Sequence, residues 1–173
     1  RVGLDIFRGA KLWDRVQIVL IAFALFDGIY LRGLAFGFEK TLLINKKDHH
    51  KKALILGDGG AAKAVRYILD KHNIEHQTVS RKSEINFENL SEDLVKDSLL
   101  IIQTTPVGTF PNLEDCVPFP YDAISDQHYV IDLIYNPSET AFLRKSAEKG
   151  ATTLNGFYML EQQAEKAWEI WKS

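Results

Sequence analysis

The pattern of hydrophobic and polar positions changes near residue 46. Before that point, hydrophobic residues follow no clean period, and Val16 to Phe26 fits either a buried strand or a buried helix. After a polar, basic stretch at Asn45 to Lys52, short apolar runs alternate with stretches of helical spacing. We therefore predict two regions, residues 1–46 and residues 47–173.

The second region has the pattern of a parallel α/β domain. Ala53–Leu56 is wholly apolar, which is typical of a strand covered on both faces. Further strands are predicted at Glu75–Ser80, Leu99–Gln103, Tyr129–Leu133 and Ala151–Leu154. Helices are predicted at Ala61–Lys71, Leu90–Val95, Thr140–Lys149 and Gly156–Lys172, with Thr140 as an N-terminal cap and Gly150 as a stop. This alternation predicts a doubly wound parallel sheet with right-handed crossovers.

Composition excludes several classes of protein. The chain has 173 residues, of which 46% are hydrophobic, and a net charge of -2, which argues against disorder. An isoelectric point near 6.2 argues against a nucleic-acid partner. The longest apolar run, Ile18 to Phe26, is shorter than the about 20 residues that cross a bilayer, so no membrane partner is expected. A single cysteine, Cys116, permits no intramolecular disulfide and fits a reducing, cytoplasmic location.

A glycine-rich turn follows the first strand of the second region. Gly57, Gly59, Gly60 and Ala61 lie between that strand and a helix, where a dinucleotide-binding turn is expected. The first glycine permits a tight turn, the second lets the backbone approach a pyrophosphate, and the helix N-terminus offers free N–H groups. The alternative is a strand-to-helix turn that merely needs glycine.

The end of the second strand indicates which dinucleotide is bound. NAD-binding proteins place an acidic residue there, whereas NADP-binding proteins place arginine nearby. Here the strand ends in Ser80, Arg81 and Lys82, which could bind a 2′-phosphate through a hydroxyl, a planar guanidinium and a point charge. NADP is therefore the predicted cofactor, and a solvated basic loop is the alternative.

Three more segments follow the ends of later strands, where ligands bind in open α/β sheets. They are T-T-P-V-G at Thr104–Gly108, D-L-I-Y-N-P-x-x-T from Asp132, and N-G-x-x-M-L-x-x-Q-A from Asn155. Together with the glycine turn and the Ser-Arg-Lys loop, these motifs resemble those of the shikimate dehydrogenase family, in family order, over residues 51–173.

The resemblance implies NADP-dependent reduction of 3-dehydroshikimate to shikimate, in aromatic amino-acid biosynthesis, by a Rossmann-type domain. The residues implied at the pyrophosphate are Gly57, Gly59, Gly60 and Ala61, and those at the adenosine phosphate are Ser80, Arg81 and Lys82. Those implied on the nicotinamide side are Thr105, Pro106, Val107, Gly156 and Met159. Tyr135 and Gln163 are implied at the substrate, which is shikimate or 3-dehydroshikimate.

Gln163 also stands out without the family. Met159 and Gln163 are four residues apart, so they share a helix face that is otherwise apolar. A buried amide needs a partner, and a substrate oxygen would serve. The alternatives are a core glutamine satisfied by backbone and, for Tyr135, a packing tyrosine with its hydroxyl in water.

The first region departs from the family pattern. Gly37-Phe38 matches the end of the family's N-T-D-x-x-G-F segment, but Leu34 occupies the position of the expected aspartate. A faint echo of a second motif places the catalytic, proton-transferring lysine at Lys11, for which a surface lysine is the alternative.

Residues 1–46 are accordingly predicted to be a truncated or poorly determined remnant of an α/β substrate domain. A degenerate region in a non-catalytic NADP-binding module, or an engineered or split chain, are the alternatives; retention of Tyr135 and Gln163 favours the remnant. Quinate or dual specificity stays open, as does a monomer or a homodimer. No metal is expected, because His72 and His76 straddle a helix end and a strand start and should not converge.

Overall fold

A computed structural model of the chain describes residues 27–172, and the side chains of residues 32–166. Five parallel strands form one sheet in the order β2-β1-β3-β4-β5. The strands are β1 (Lys52–Leu56), β2 (Glu75–Val79), β3 (Leu100–Gln103), β4 (Tyr129–Asp132) and β5 (Thr152–Leu154). The α-helices are α1 (Asp27–Asn45), α2 (Gly60–Lys71), α3 (Glu92–Asp97), α4 (Ala141–Glu148) and α5 (Phe157–Lys172), and Tyr121–Ala123 forms a 3₁₀ turn. The predicted doubly wound α/β fold is confirmed.

Each face of the sheet carries its own hydrophobic core. Ala53 and Ile55 of β1 face α1 and α2, while Leu54 and Leu56 belong to the core on the opposite face, with Phe142 of α4. Residues on both faces of β1, β3 and β4 are almost fully buried, which explains why these strands have few polar positions.

Helix α1 was not predicted from the hydrophobic pattern. It packs between α2 and α5, so it buries residues on more than one side and shows no single apolar stripe. Phe38 and Leu42 are fully buried in the core below it. The Tyr129 hydroxyl donates to the backbone oxygen of Thr41 at 2.8 Å, which ties α1 to β4.

The predicted boundaries agree with the structure to within about two residues. The Thr140 hydroxyl accepts a hydrogen bond from Leu143 N and caps α4 as predicted, and Gly150 follows that helix with a φ of +91°. The helix predicted to begin at Leu90 begins instead at Glu92, because the Ser91 hydroxyl caps it by accepting from Leu94 N. The prediction for Val16 to Phe26 lies outside the described residues.

Candidate functional site

Five loops meet at the edge of the sheet where the parallel strands end. Leu56, Gln103 and Asp132 are register partners on β1, β3 and β4, so the loops that follow them begin side by side. The connection after β1 leads to β2 on one side, while β3 lies on the other side of β1. This reversal of strand order opens the crevice in which doubly wound folds bind ligands.

Gly57 permits the close contact between the first and third loops. Its φ is +114°, and a Cβ added there would lie 2.6 Å from Thr104 Oγ1 and 2.9 Å from Thr105 Cγ2. Thr104 in turn donates to the Leu56 carbonyl through both its backbone N and its hydroxyl, each at 2.8 Å. A side chain at position 57 would therefore force the two loops apart.

The next two glycines lie beside open space. A Cβ at Gly59 or Gly60 would meet no heavy atom within 4 Å, and both residues are exposed. Gly59 is the N-cap of α2 and supplies no side-chain cap. The first N–H groups of this helix are thus left for an external acceptor, and a phosphate is the group that such a helix end favours. Ala61, also predicted here, is partly buried against the core.

Ser80 organises the turn after β2. It is 7% exposed, its hydroxyl lies 2.7 Å from the Ser83 hydroxyl, and it accepts from Lys82 N at 3.2 Å. The hydroxyl is therefore engaged in shaping the turn. Arg81 and Lys82 are exposed, and in the described part of the chain neither has a carboxylate in ion-pair range. Both cations are positioned to attract an anion.

The Thr104–Gly108 loop is held by hydrogen bonds within itself. Thr105 donates to Gln103 Oε1 from its backbone N at 3.1 Å and from its hydroxyl at 3.0 Å, and that hydroxyl accepts from Val107 N at 3.3 Å. Pro106 is exposed at the tip, while Val107 packs partly against the core that contains Leu56. The loop consequently presents a backbone of fixed shape beside the glycine turn.

Asp132 holds the loop after β4. Its Oδ1 accepts from Ile134 N at 3.0 Å, and its Oδ2 accepts from the Thr140 hydroxyl at 2.6 Å. Burial raises the pKa of this fully buried carboxyl to about 6, against the two hydrogen bonds, which favour the charged form. The carboxylate thus fixes both ends of the segment that carries Tyr135.

Tyr135 and Gly156 lie on neighbouring loops. Tyr135 is 36% exposed. Gly156 N donates to the Ile134 carbonyl at 2.9 Å, and a Cβ on Gly156 would collide with the backbone oxygen of Leu133. Asn155 fastens the same two loops, because its side-chain amide donates to Ser138 O at 2.7 Å and its Oδ1 accepts from Phe157 N. Glycine at position 156 is therefore required by this backbone contact.

Met159 and Gln163 lie on the face of α5 that packs against α1. They are 6% and 3% exposed, and a Cβ added to Gly37 would come within 2.5 Å of Met159 O and 2.9 Å of Gln163 Cγ. Among the described residues, no group forms a hydrogen bond with the Gln163 amide. The amide is therefore available to a ligand, and the assignment of Gln163 to the substrate stays a prediction.

Leu34 lies one turn before Gly37 on α1. It is 4% exposed and belongs to the same core as Met159. The position at which the family resemblance expects an aspartate is thus an apolar packing position in this chain. Lys11 lies outside the described residues.

Sequence reasoning missed the polar residues that support these loops. Gln103 and Asp132 are the last residues of otherwise apolar strands, and a polar residue at that position is the signal that could have indicated loop support. The ion pair between Asp58 and Arg66 was also missed. The two residues are eight positions apart and meet only because the glycine turn lies next to the second turn of α2.

No group of three or more potential metal ligands converges in residues 27–172. His72 and His76 contact different carboxylates, Glu39 at 2.8 Å and Asp70 at 3.1 Å. Within the same range, no helix has the length and apolar character needed to cross a membrane.

Comparison with known proteins gives two different similarities. Residues 1–48 match the family model KbaA, described as KinB-signalling pathway activation in sporulation. That match covers about a quarter of the chain, includes α1 and the three residues that follow it, and otherwise falls on residues outside the described range.

The larger part of the chain is similar to another family. The shikimate dehydrogenase (NADP(+)) of Methanosphaera stadtmanae is 38% identical over 140 residues, which cover 69% of this chain and 50% of the relative. The crystal structure of the shikimate dehydrogenase of Aquifex aeolicus superposes with a TM-score of 0.69 at 34% identity, over 80% of this chain and 55% of that one. The enzyme of Thermus thermophilus, in complex with NADP(H) and shikimate, gives a TM-score of 0.67 at 27% identity over 80% of this chain and 56% of that one. The chain spans about half the length of the relatives it matches.

Proposed function

We propose that this chain, which is similar to the shikimate dehydrogenases over most of its length, is an NADP-dependent shikimate dehydrogenase in which residues 47–173 bind the cofactor. The reaction is hydride transfer between NADP(H) and the ring carbon of 3-dehydroshikimate or shikimate. The observation that carries the proposal is the pair of exposed cations Arg81 and Lys82, which have no ion-pair partner among the described residues. They lie beside a phosphate cradle, the open space formed by Gly59, Gly60 and the start of α2.

The residues of the cradle fit the diphosphate of a dinucleotide. Gly59 and Gly60 leave room for phosphate oxygens, and the uncapped start of α2 provides N–H donors and the positive end of a helix dipole. Gly57 holds the turn against Thr104 and so keeps the cradle next to the loop after β3.

The end of β2 favours NADP over NAD. Arg81 would bind the 2′-phosphate through its planar guanidinium, and Lys82 would add a second positive charge. Ser80 shapes the turn that presents them, which is a supporting role in addition to the direct contact implied by the family. No carboxylate in the described residues occupies the ribose-binding position at this strand end.

On the nicotinamide side, we propose that Thr105, Pro106, Val107, Gly156 and Met159 shape the pocket. NADP(H) supplies or accepts the hydride when it is bound. The internal hydrogen bonds of Thr105 fix the loop that would position the ring, and Pro106 presents an exposed apolar edge. Preorganised loops reduce the entropic cost of aligning donor and acceptor.

Tyr135 and Gln163 are the proposed substrate contacts in the described residues. Tyr135 is partly exposed on a loop fixed by Asp132 and Asn155, so its hydroxyl can reach a ligand. The Gln163 amide has no partner in the described residues, although the side chain is 3% exposed, and a substrate oxygen would satisfy it. Lys11 is proposed to transfer the proton. The cytoplasmic location and a monomeric or homodimeric state stay predictions.

A second candidate function is an NADP-binding module without catalysis. The observation that favours it is Leu34, which places a buried leucine where the family pattern has an aspartate beside the catalytic lysine. The assignment of residues 1–46 to a remnant of a substrate domain stays a prediction, and the KbaA similarity is a competing description of this region.

The two candidates are separated by assaying the whole chain for shikimate-dependent reduction of NADP+, with quinate in parallel. Turnover that is lost in Lys11→Met and strongly reduced in Gln163→Leu, with both variants still binding NADP+, would support the enzyme. Tight NADP+ binding without turnover of either substrate would contradict the enzymatic proposal and favour the binding module. Lys51→Met, at the opposite end of the sheet, is the matched control and should retain wild-type activity.

A further inference from the structure

An acidic residue lies inside the glycine turn, where negative charge opposes phosphate binding. Asp58 occupies the position between Gly57 and Gly59, directly before the first turn of α2. Its side chain is half exposed and lies next to the open space at Gly59 and Gly60. Two like charges a few ångströms apart repel measurably even in water.

Arg66 neutralises this carboxylate. Its Nη1 lies 2.8 Å from Asp58 Oδ1 and 3.3 Å from the Thr78 hydroxyl. Thr78 precedes the last residue of β2, the strand that leads to Arg81. One guanidinium thereby joins the glycine turn, the second turn of α2 and the end of β2.

We infer that Arg66 is a positioning residue for dinucleotide binding, which cancels the charge of Asp58 and draws its carboxylate away from the phosphate cradle. The inference rests on the proposed binding of NADP at this site. The Asp58–Arg66 pair lies at the surface, with 50% of the Asp58 side chain and 27% of the Arg66 side chain exposed, and ion pairs in such positions contribute little to folding. Its contribution is therefore expected in the binding of anions and much less in stability.

The test is a double-mutant cycle on NADP+ affinity, measured by calorimetric titration of the whole chain. Arg66→Met should weaken NADP+ about tenfold, as expected for one unpaired like charge a few ångströms from the phosphates. Asp58→Asn should change the affinity by less than about twofold to threefold. The double variant Asp58→Asn/Arg66→Met should recover most of the loss, because the repelling carboxylate is then absent.

Two further measurements separate positioning from a general structural effect. Thermal unfolding of all three variants should stay within a few degrees of the wild-type chain. Adenosine 2′-monophosphate, which lacks the diphosphate, should bind the wild-type chain and Arg66→Met with similar affinity. A loss in Arg66→Met that shrinks as salt is added would agree with unscreened repulsion.

The inference is overturned if Arg66→Met leaves NADP+ affinity unchanged, or if the double variant binds as weakly as Arg66→Met. The second result would mean that Arg66 contacts the ligand itself instead of acting through Asp58. Failure of the wild-type chain to bind any dinucleotide would instead contradict the proposed function, and the inference would fall with it.

Discussion

Gln103 and Asp132 are register partners at the last rung of β3 and β4, and each is fully buried while it holds the loop that follows it. Gln103 Oε1 accepts two hydrogen bonds from Thr105, and Asp132 accepts from Ile134 N and the Thr140 hydroxyl. In the described part of the chain, Gln103 Nε2 is closed off from solvent and has no hydrogen-bond partner. The two loops that flank the proposed nicotinamide pocket thus depend on a polar pair inside the sheet.

The ionisation of Asp132 predicts a specific pH dependence of stability. Its pKa in the folded chain is about 6, above the ordinary value of 3.8, so the folded state binds this proton more tightly than the unfolded state. The cost of burying the carboxylate is therefore present above about pH 6 and disappears below about pH 4. As the pH falls from about 8 to about 4, the free energy of unfolding of the wild-type chain should therefore rise by about 3 kcal/mol relative to that of Asp132→Asn.

Denaturant unfolding of both proteins across that pH range measures the effect. Asp122→Asn is the control, because Lys149 lowers the pKa of that exposed carboxyl and its small effect should have the opposite sign. A constant difference between wild type and Asp132→Asn at every pH would contradict the assigned ionisation.

Two glycines of the phosphate turn should respond differently to alanine. Gly57→Ala must adopt a positive φ and meet Thr104 at 2.6 Å, so it should lose about 2 kcal/mol or more of stability. Gly59→Ala has an ordinary backbone conformation and open space around its Cβ, so its stability should stay within about 0.5 kcal/mol of wild type. Its NADP+ affinity should nevertheless fall, because the added methyl enters the cradle. Thermal unfolding and calorimetric titration measure the two quantities, and equal loss of stability in both variants would contradict this division.

Gly37 tests the packing of α1 against α5. Alanine gains about 1 kcal/mol over glycine in a helix interior. Against this, its Cβ would lie 2.5 Å from the backbone oxygen of Met159, and such overpacking costs about 1–3 kcal/mol. Because backbone cannot rotate away, we expect net destabilisation, measured by denaturant unfolding. Gly60→Ala, which meets nothing within 4 Å, is the control, and stabilisation by Gly37→Ala would show that the two helices do not pack this closely.

The sheet was predictable because its strands are short apolar runs bounded by turn residues, as at Ala53–Leu56, and because Thr140 and Gly150 are strong helix signals. Helix α1 was not predictable in this way, since burial between α2 and α5 removes the single apolar stripe and Gly37 opposes helix propensity.

The candidate site likewise contains some residues that local sequence motifs predict and others that they do not. The glycine turn and the Arg81 loop are local motifs, so the sequence identifies them directly. The support from Gln103, Asp132 and Arg66 depends on strand register and on contacts across the fold, which no local pattern encodes.

The most direct test of the account is the affinity of the whole chain for NADP+ and NAD+, compared with that of Arg81→Ala. We expect Arg81→Ala to weaken NADP+ by at least about tenfold, the loss of a charge-assisted phosphate contact, and NAD+ by less than about threefold. Lys51→Ala, which removes an exposed charge at the far end of the sheet, should change neither. Equal weakening of both dinucleotides by Arg81→Ala, or a wild-type chain that binds NAD+ as tightly as NADP+, would contradict the assignment of a 2′-phosphate site at the end of β2.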